Sequence, residues 1–341
     1  MKQLSIAVPS YNSAAFISRG LQSYIYKDGT MDPRLEVIIV NDGSTDNTLE
    51  VAKEWAARYP DGFKVLDKEN GGHGSGINAG IDAANGRYYK VIDSDDWILT
   101  ENLREILDTL ETSNADIVST GFHTVNMATG VSLAYGAGKE KKELPISEFV
   151  KQKEEILSCQ MFHGLMYNTE FYRHARIRMS EGIFFEDQEY AILPFMHART
   201  ILLIPCFFYE YQTGSSTQSV NFANQGQKSG HLLAVLKNLI NHYSETAMDD
   251  AQRNFAGWRI GNVVTSYYAA VLVKSPEKKA GREKASEFRR FIFEAAPDIA
   301  QATEKKYQTL MKLNRIPGAS ALYAKLFGSG LYKSFKKRWI K

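Results

Sequence analysis

The sequence Y-Y-K-V-I-D-S-D-D-W occupies residues 88–97. Its aromatic and β-branched first half predicts a β-strand, which ends abruptly in Asp93, Asp95 and Asp96. Three carboxylates at this spacing repel one another, and open α/β sheets bind ligands at the carboxyl ends of their strands. Oxygen ligands so placed suit a hard divalent cation, Mg²⁺ or Mn²⁺. The alternative is a solvated acidic turn in which Asp96 caps the next helix.

Strands and helices alternate on either side of this stretch. The predicted strands cover residues 4–8, 35–40, 63–66, 88–92 and 116–122, and the predicted helices cover residues 14–26, 47–59, 75–84 and 103–113. Strands separated by helices in this way predict a mostly parallel sheet with right-handed crossovers and flanking helices, an α/β fold. Residues 128–142 predict a hairpin or loop, and the chain is predicted to be helical from about residue 226.

The composition places the chain among ordinary globular proteins. Its 341 residues exceed the usual size of one domain, so we expect a domain over residues 1–220 and a helical region over residues 221–341. A formal net charge of +2 does not indicate a nucleic-acid partner, and we expect none. Two cysteines suit a reducing compartment rather than a disulfide framework.

The amino-terminal residues lack the apolar segment of a signal peptide, because Pro9 and Asn12 interrupt it. The most apolar run, residues 201–211, contains Pro205 and Glu210 and is too short to cross a bilayer. We therefore expect a cytoplasmic protein, with contact to the inner face of the membrane left open.

Three predicted strands are followed by polar loops that should open at one edge of the sheet. The loops carry Pro9, Tyr11, Asn12, Asp42 and Ser94 together with the acids of residues 93–96. An aromatic ring, amides and a carboxylate can stack on a nucleobase and bond to its edge, and Asp42 can accept a ring N–H such as that of uracil. Taken singly, each of these residues is more often a turn or cap residue.

A glycine-rich stretch, N-G-G-H-G-S-G, covers residues 70–76. Glycines between a strand and a helix let backbone amides and a helix amino terminus approach an anionic group, and His73 is a candidate ligand contact there. Residues 74–79 also match G-x-G-x-x-A, with Asp93 about 20 residues further on, as in dinucleotide-binding units. That interpretation is weakened by residues 68–73, which separate the strand from Gly74.

A second acidic pair, Glu186 and Asp187, follows two phenylalanines in the stretch 180–189. A carboxylate at the edge of an apolar pocket can take a proton from an incoming hydroxyl group. The alternative is that both acids cap a helix over residues 188–196.

Two further segments carry weaker signals. Residues 209–218 form a hydroxyl-rich segment that either closes over a phosphate or is a linker. Leu331, Phe335 and Trp339 recur every four residues among lysines and an arginine, which is typical of an interfacial helix on anionic lipid. A basic surface on a packed helix explains the same pattern.

In their order along residues 4–218, these motifs resemble the family-2 glycosyltransferases of GT-A fold, which are inverting, metal-dependent enzymes using nucleotide-diphosphate sugars. The resemblance rests on V-P-S-Y-N, V-N-D-G-S-T-D-N-T, N-G-G-H-G-S-G-I-N-A-G, D-S-D-D, F-F-E-D-Q-E and Y-E-Y-Q-T-G-S-S-T. It implies a nucleotide-sugar-binding half over residues 1–97 and an acceptor-binding half over residues 98–220.

The resemblance also implies roles for single residues. Asp95 would be the principal metal ligand, Asp93 would bind ribose or assist the metal, and Asp187 would be the catalytic base with Glu186 in support. The donor, most simply a UDP-sugar, would contact Pro9, Tyr11, Asn12, Asp42, Asn70, Gly72, His73, Asn78, Asp93 and Ser94. Two positions depart from the family pattern, since Ile77 and Gln212 stand where the family usually has basic residues.

The expected reaction is transfer of one sugar from a UDP-sugar to a hydroxyl group of a glycan or lipid-linked glycan. Two other classes remain as alternatives. A non-catalytic module would bind the sugar nucleotide or a glycan without turnover. A dinucleotide-dependent oxidoreductase would bind NAD(H) without a metal.

Overall fold

The computed structural model describes residues 1–136, 138–152, 154–214, 228–316 and 318. The chain divides into two compact units, Met1–Ser215 and Ser216–Lys341. The first unit contains the β-sheet, and the described part of the second is helical. The boundary predicted between residues 220 and 221 lies outside the described residues.

Ten strands form one sheet in the described part of the first unit. They are β1 (Leu4–Ser10), β2 (Leu35–Asp42), β3 (Phe63–Lys68), β4 (Tyr88–Val91), β5 (Trp97–Ile98), β6 (Ile117–Asn126), β7 (Ser132–Tyr135), β8 (Lys142–Pro145), β9 (Leu165–Asn168) and β10 (Thr200–Thr213). Their spatial order is β3-β2-β1-β4-β9-β6-β10-β5, with β7 beside β6 and β8 beside β10.

The four strands β1 to β4 are mutually parallel, and β6 is parallel to β10. Strand β9 runs antiparallel to both of its neighbours, β4 and β6. The predicted α/β class with a mostly parallel sheet is therefore confirmed. Strand β7 pairs antiparallel with β6, so the segment predicted as a hairpin or loop supplies the second strand of a hairpin.

Helices connect the strands of the first unit. They are α1 (Ile17–Gln22), α2 (Thr48–Arg58), α3 (His73–Ala83), α4 (Thr100–Thr112), α5 (Ile146–Phe149), α6 (Glu154–Ser158), α7 (Thr169–His174) and α8 (Glu186–His197). Helix α1 is shorter than predicted, and α3 and α8 each begin two residues earlier than predicted.

Both faces of the parallel strands are covered, which explains their nearly continuous apolar sequence. All eight residues of β2 are buried. On one face, alternate residues such as Val37 and Ile39 join a core cluster with Leu103 and Ile106 of α4. The apolar stripe of α4 recurs with helical period, so one side of this helix faces the sheet.

The second unit consists of helices in its described part. They are α9 (Ser229–Glu245), α10 (Asp250–Ala269), a π-helical segment (Ala270–Lys274), α11 (Lys278–Ala295) and α12 (Pro297–Asn314). Asp249 and Gln252 form a reciprocal capping box at the start of α10. The predicted helical carboxyl-terminal region is confirmed over these residues.

In the part of the chain that the structure describes, no helix combines the length and apolarity required to cross a bilayer. Cys159 and Cys206 are half-buried and form no disulfide bond in the described part of the chain.

Candidate active site

The predicted polar loops meet at one edge of the sheet. Strands β2, β1 and β4 are adjacent and parallel, so the loops that follow them open at the same carboxyl edge. This arrangement brings together the segments 9–12, 41–44 and 93–96, as the strand pattern predicted. The edge is therefore where the chemistry-bearing residues of the first unit converge.

Asp42 is buried beneath the glycine-rich segment. Its Oδ1 accepts hydrogen bonds from Lys68 Nζ at 2.7 Å and from the Gly71 amide at 3.0 Å, and its Oδ2 accepts from the Gly72 amide at 2.8 Å. Asn70 Nδ2 donates to the Asp42 carbonyl oxygen at 2.8 Å. Asp42 and Asn70 thus hold the glycine-rich loop in place, and their contact with a base stays a prediction.

The loop after β1 is fixed by Asn12, which has a positive φ of 50°. Asn12 Oδ1 accepts from the Thr45 amide at 2.8 Å, and its own amide donates to Ser44 Oγ at 3.0 Å. The neighbouring Tyr11 is 53% exposed, so its ring is accessible for stacking. Asn12 ties two of the loops together and leaves the aromatic contact to Tyr11.

The glycines of residues 74–80 serve close packing rather than the turn of a dinucleotide site. They lie inside α3, which begins at His73. A Cβ atom on Gly76 would lie 2.8 Å from Pro9 Cβ, and one on Gly74 would lie 2.1 Å from the Ser180 carbonyl oxygen. Because these glycines are buried against protein, the G-x-G-x-x-A match does not form a pyrophosphate turn.

The Asn78 side chain makes contacts different from the predicted donor contact. Its Nδ2 donates to the Met179 carbonyl oxygen at 3.0 Å and to Glu181 Oε1 at 2.9 Å. Its Oδ1 accepts from the Met179 amide at 2.9 Å. Asn78 therefore fastens α3 to the segment before α8, a role that the sequence motif does not reveal.

Asp93, Ser94, Asp95 and Asp96 form a tight turn after β4, closed by a hydrogen bond from the Asp96 amide to the Asp93 carbonyl oxygen at 3.0 Å. One ligand oxygen from each of the three aspartates lies within 4.8 Å of the others. Carboxylate oxygens at such spacing can share one hard divalent cation.

Asp96 does not cap the following helix, so the helix-cap interpretation is wrong. It is 1% exposed, with Oδ2 accepting from Tyr209 Oη and Oδ1 accepting from the Gln212 amide, both at 2.6 Å. Helix α4 begins only at Thr100, and its N-cap residue Leu99 makes no side-chain cap. Asp96 instead holds the end of β10 against the acidic turn, which leaves Asp93 and Asp95 as the better metal ligands.

The electrostatics of the turn also fit a cation. Burial, followed by the charge of Asp93, raises the pKa of Asp95 and raises that of Asp96 well above its usual value. Burial opposes ionisation of Asp93 as well, but the adjacent His73 outweighs it and lowers the pKa of Asp93. A divalent cation would relieve this repulsion, so the residues present suit Mg²⁺ or Mn²⁺.

The Glu186–Asp187 pair lies at the first turn of α8. The N-cap residue is Phe185, with a left-handed φ of 77° and no side-chain cap, so neither acid serves as the cap residue. Asp187 is half-buried, and Gln188 Nε2 donates to its Oδ2 at 3.0 Å. Burial, followed by the charge of Glu186, raises the pKa of Asp187 to about 6. A carboxylate that titrates near neutrality is suited to accept a proton.

His73 links the two acidic motifs. Its Nδ1 lies 2.7 Å from Glu186 Oε1, and its Nε2 lies 2.9 Å from Asp93 Oδ1. Burial would lower the pKa of His73, but Asp93 and Glu186 together raise it well above its usual value. The sequence named His73 as a donor contact and carried no signal of this bridge.

The two departures from the family pattern have different surroundings. Ile77 is fully buried inside α3. Gln212 Oε1 accepts a hydrogen bond from Arg19 Nη2 at 2.5 Å, and the same nitrogen donates to the Asp95 carbonyl oxygen at 2.6 Å. Arg19 also lies over the Trp97 ring, 4.3 Å from its centroid. A guanidinium from α1 therefore stands beside Gln212, and sequence analysis missed it.

Lys90 is a second residue that sequence analysis missed. It is fully buried in β4, and its Nζ donates to the carbonyl oxygens of His163 at 2.7 Å and Leu165 at 3.2 Å. Burial lowers its pKa to about 7. Lys90 holds the start of β9 beneath the acidic turn.

Part of two predictions lies outside the described residues. They concern residues 215–218 of the hydroxyl-rich segment and the predicted interfacial helix of residues 331–341. Tyr209 to Gly214 are described, and Tyr209 to Thr213 form the end of β10, where Tyr209 and Gln212 bond to Asp96.

Comparison with sequence families gives a match over residues 5–175 to the model described as glycosyl transferase family 2. Among individual relatives, the chain is 28% identical over 212 residues to the uncharacterized glycosyltransferase EpsJ of Bacillus subtilis, covering 61% of this chain and 60% of EpsJ. It is 27% identical over 222 residues to the poly(ribitol-phosphate) β-N-acetylglucosaminyltransferase TarS of Staphylococcus aureus, covering 62% of this chain and 36% of TarS. The chain thus matches about 60% or less of the length of these relatives.

The fold resembles that of solved glycosyltransferase structures. Residues 1–349 of S. aureus TarS, crystallised in complex with UDP-GlcNAc, superpose with a TM-score of 0.70 at 19% sequence identity, covering 92% of this chain and 91% of that one. The GT-A architecture is therefore confirmed. Since the family model also matches half of the chain, over a segment that contains the loops of the carboxyl edge, this chain belongs to glycosyl transferase family 2.

Proposed function

We propose that this protein transfers one sugar, with inversion, from a UDP-sugar to a hydroxyl group of a glycan or lipid-linked glycan. The observation that carries the proposal is the convergence of two acidic motifs on one imidazole. Asp93 of the turn after β4 and Glu186, which precedes Asp187, both contact His73. The turn proposed to hold the metal and the turn proposed to carry the base are therefore joined through His73.

Support for a UDP-sugar donor comes from the edge of the sheet and from the solved relatives. Tyr11 offers an exposed ring next to the loop that holds Asp42. The two TarS structures of 349 residues with bound nucleotide contain UDP-GlcNAc and UDP. UDP-GlcNAc is therefore the first donor to test, followed by the UDP derivatives of glucose and galactose.

A divalent cation is part of the proposal. Asp95 and Asp93 would hold Mg²⁺ or Mn²⁺, which when bound supplies Lewis-acid neutralisation of the charge on the departing diphosphate. Arg19 stands next to the Asp95 backbone and adds a fixed positive charge to this side of the site. Asp96 keeps the turn closed through its bonds to β10.

Asp187 would act as the general base. It takes the proton from the acceptor hydroxyl while the hydroxyl oxygen forms a bond to the anomeric carbon. The bond from that carbon to the diphosphate breaks on the opposite face, UDP leaves with the electron pair, and the configuration is inverted. Gln188 orients the Asp187 carboxylate through its hydrogen bond, and the charge of Glu186 raises the pKa of Asp187.

Titration calorimetry with UDP, with and without Mn²⁺, tests the donor assignment. We expect binding that requires the metal in the wild type and that is lost in Asp95→Ala. Asp61→Ala, an exposed aspartate of the first unit, is the matched control and should bind like the wild type. Absence of UDP binding in both conditions would contradict the proposal.

Turnover distinguishes the proposal from the alternatives. A transferase releases UDP from its donor slowly with water and faster with its acceptor, whereas a non-catalytic module binds UDP and releases none. NAD(H) binding without metal would instead favour an oxidoreductase.

We further propose a cytoplasmic location with contact to an anionic membrane surface through the carboxyl-terminal residues. Residues 305–341 contain ten Lys and Arg and no Asp or Glu. Of these, Lys305, Lys306 and Lys312 are exposed on α12. A cluster of basic residues is attracted to acidic lipid by about 1 kcal/mol for each residue near the surface.

Removal of residues 331–341 tests the membrane contact. We expect the truncated protein to be released from liposomes that contain acidic lipid, and neither form to bind neutral liposomes. Equal binding of the two forms to acidic liposomes would contradict this part of the proposal and leave the donor assignment untouched.

A further inference from the structure

One histidine lies at the junction of three elements of the first unit. His73 is the first residue of α3, Asp93 lies two residues after the end of β4, and Glu186 is the first residue of α8. These partners are 20 and 113 residues away in the sequence. The contact is therefore a product of tertiary structure, and it joins the loop of the candidate metal site to the turn of the candidate base.

Both ring nitrogens are engaged at once. The distances of 2.7 Å to Glu186 Oε1 and 2.9 Å to Asp93 Oδ1 are those of short hydrogen bonds to carboxylates. An imidazole held at both nitrogens cannot turn about its χ2 angle without losing a bond. The ring consequently fixes the separation and the orientation of the two carboxyl groups.

The backbone around His73 is fixed as well. The Gly182 amide donates to the Gly71 carbonyl oxygen at 2.6 Å, so the glycine-rich loop is bonded to the segment before α8. Gly74 lies so close to the Ser180 carbonyl oxygen that no side chain fits between them. His73 is therefore anchored on the same rigid connection that carries Glu186.

Glu186 is held by only one of its two oxygens. Oε1 contacts His73, whereas Oε2 is buried and has no hydrogen-bond partner among the described residues. The whole residue is 6% exposed. An unpaired buried carboxylate oxygen costs free energy, so the bond from His73 is the one hydrogen bond to this carboxylate among the described residues.

We propose that His73 is a positioning residue that couples the donor–metal side of the site to the catalytic turn, rather than a direct ligand of the donor. Its Nε2 holds Asp93 in place for metal or ribose, and its Nδ1 holds Glu186 and thereby the start of α8, which carries Asp187. This inference rests on the proposed function. It assigns to His73 two separable effects, one on donor binding and one on turnover.

Two substitutions separate these effects, because the amide of glutamine reaches about as far as Nε2 of histidine and the amide of asparagine about as far as Nδ1. His73→Gln retains a donor for Asp93, and His73→Asn retains a donor for Glu186. His174→Gln, an exposed histidine at the end of α7, is the matched control.

Calorimetry with UDP and Mn²⁺ and the release of UDP from UDP-GlcNAc are measured on each variant. We expect His73→Asn to bind UDP about 10-fold to 100-fold more weakly, since loss of a residue that orients a metal ligand typically has this effect. His73→Gln should bind UDP like the wild type but release it about 10-fold to 100-fold more slowly. His174→Gln should match the wild type in both measurements.

A second variant tests the Glu186 arm without changing His73. Glu186→Gln preserves volume and should reproduce the slow turnover of His73→Gln with unchanged UDP binding. The combination His73→Gln with Glu186→Gln should be no slower than the slower single variant, because both act on the same link: the first removes the Nδ1 donor and the second removes the charge of its acceptor. Two results would contradict the proposed role of His73: a turnover loss in the double variant equal to the product of the two single losses, or wild-type turnover in Glu186→Gln.

The outcomes separate this inference from the proposed function. A wild type that neither binds UDP with metal nor releases it contradicts the proposed function itself. A wild type that does both, with His73→Gln and His73→Asn equal to it, contradicts only the bridge. Should the His73 variants fail to fold, the turnover of Glu186→Gln decides.

Discussion

Glu36 lies near the amino edge of the parallel strands, and the turn of residues 93–96 lies at their carboxyl edge, so the sheet buries acidic side chains at both ends. Glu36 accepts hydrogen bonds from Ser5 Oγ at 2.5 Å and from the backbone and side chain of Asn85, both at 2.9 Å. Lys64 Nζ pairs with it as well. At the other edge, Asp93, Asp95 and Asp96 crowd one another.

The pKa of Glu36 and the pKa values of Asp95 and Asp96 move in opposite directions, whereas His73 lowers the pKa of Asp93. Burial opposes ionisation of Glu36, but the bonds from Lys64, Ser5 and Asn85 outweigh it and lower its pKa to about 2. The pKa values of Asp95 and Asp96 are raised. A carboxylate with a lowered pKa stabilises the fold when ionised, and one with a raised pKa destabilises it. The ionised Glu36 carboxylate therefore stabilises the fold, whereas ionised Asp95 and Asp96 lower its stability unless a ligand compensates them.

The largest expected effect on turnover comes from the carboxyl edge. Asp187→Asn should reduce UDP release by about 10²-fold to 10⁴-fold, the usual contribution of a general base. Binding of UDP with Mn²⁺ should remain, because Asp187 lies outside the turn of residues 93–96. Wild-type turnover in this variant would show that the base is a different residue.

Asp95→Ala should weaken metal-dependent UDP binding by at least about tenfold, since removal of a ligand costs no less than removal of a supporting residue. The apo-protein should unfold at a temperature no lower than the wild type, because one of three mutually repelling carboxylates is gone. Calorimetry and thermal unfolding measure both effects. A clear loss of apo-protein stability would show that Asp95, like Glu36, stabilises the fold, and would contradict the comparison.

The pH dependence of turnover gives a smaller effect. With a pKa of about 6, Asp187 is mostly ionised at pH 7 and mostly protonated at pH 5. The rate of UDP release at saturating donor should therefore fall about tenfold between pH 7 and pH 5. A rate that stays constant from pH 7 to pH 5 would show that the catalytic base does not titrate between these pH values.

Glu36→Gln should leave turnover and UDP binding unchanged. It should lower the free energy of unfolding by about 1–3 kcal/mol, because the hydrogen-bond donors around the buried Glu36 carboxylate would then face the NH₂ group of an amide. The folded-state pKa of Glu36 lies below its ordinary value, so its charge stabilises the fold above about pH 4.5 and this contribution is lost towards pH 2. Denaturant titrations of both proteins should converge at low pH. If the free energies of unfolding of the wild type and Glu36→Gln differed by the same amount at all pH values, the charge of Glu36 would not be the cause of the difference.

The sequence predicts the fold well where apolar runs alternate with helical patterns. The strands β1 to β4 and the polar loops after three of them are recognisable because each apolar run ends in turn-forming or acidic residues. Insertion of the antiparallel β9 between β4 and β6 is not predictable from periodicity, since Leu165–Asn168 is a short segment between helices. Strand order here depends on contacts such as that of Lys90 with the start of β9.

For the candidate site, residue types in the sequence indicate that it lies at the carboxyl edge of the sheet, but they do not indicate the hydrogen-bond partner of each side chain. Asp96 looks like a cap residue locally, yet its partners Tyr209 and Gln212 lie 113 and 116 residues away. Asn78 looks like a ligand contact, yet its amide is used by residues near position 180. Long-range hydrogen bonds of this kind leave no periodic trace in a single sequence.

The glycines of α3 limit how this protein could be redesigned. A Cβ atom on Gly80 would lie 2.5 Å from Ala7 Cβ, just as one on Gly76 would press on Pro9. A library that varies this helix to change the donor would mostly yield proteins in which α3 is pushed off β1. Under the proposed function, new donor preferences are more accessible through exposed positions such as Tyr11, which can be exchanged without moving the helix that carries His73.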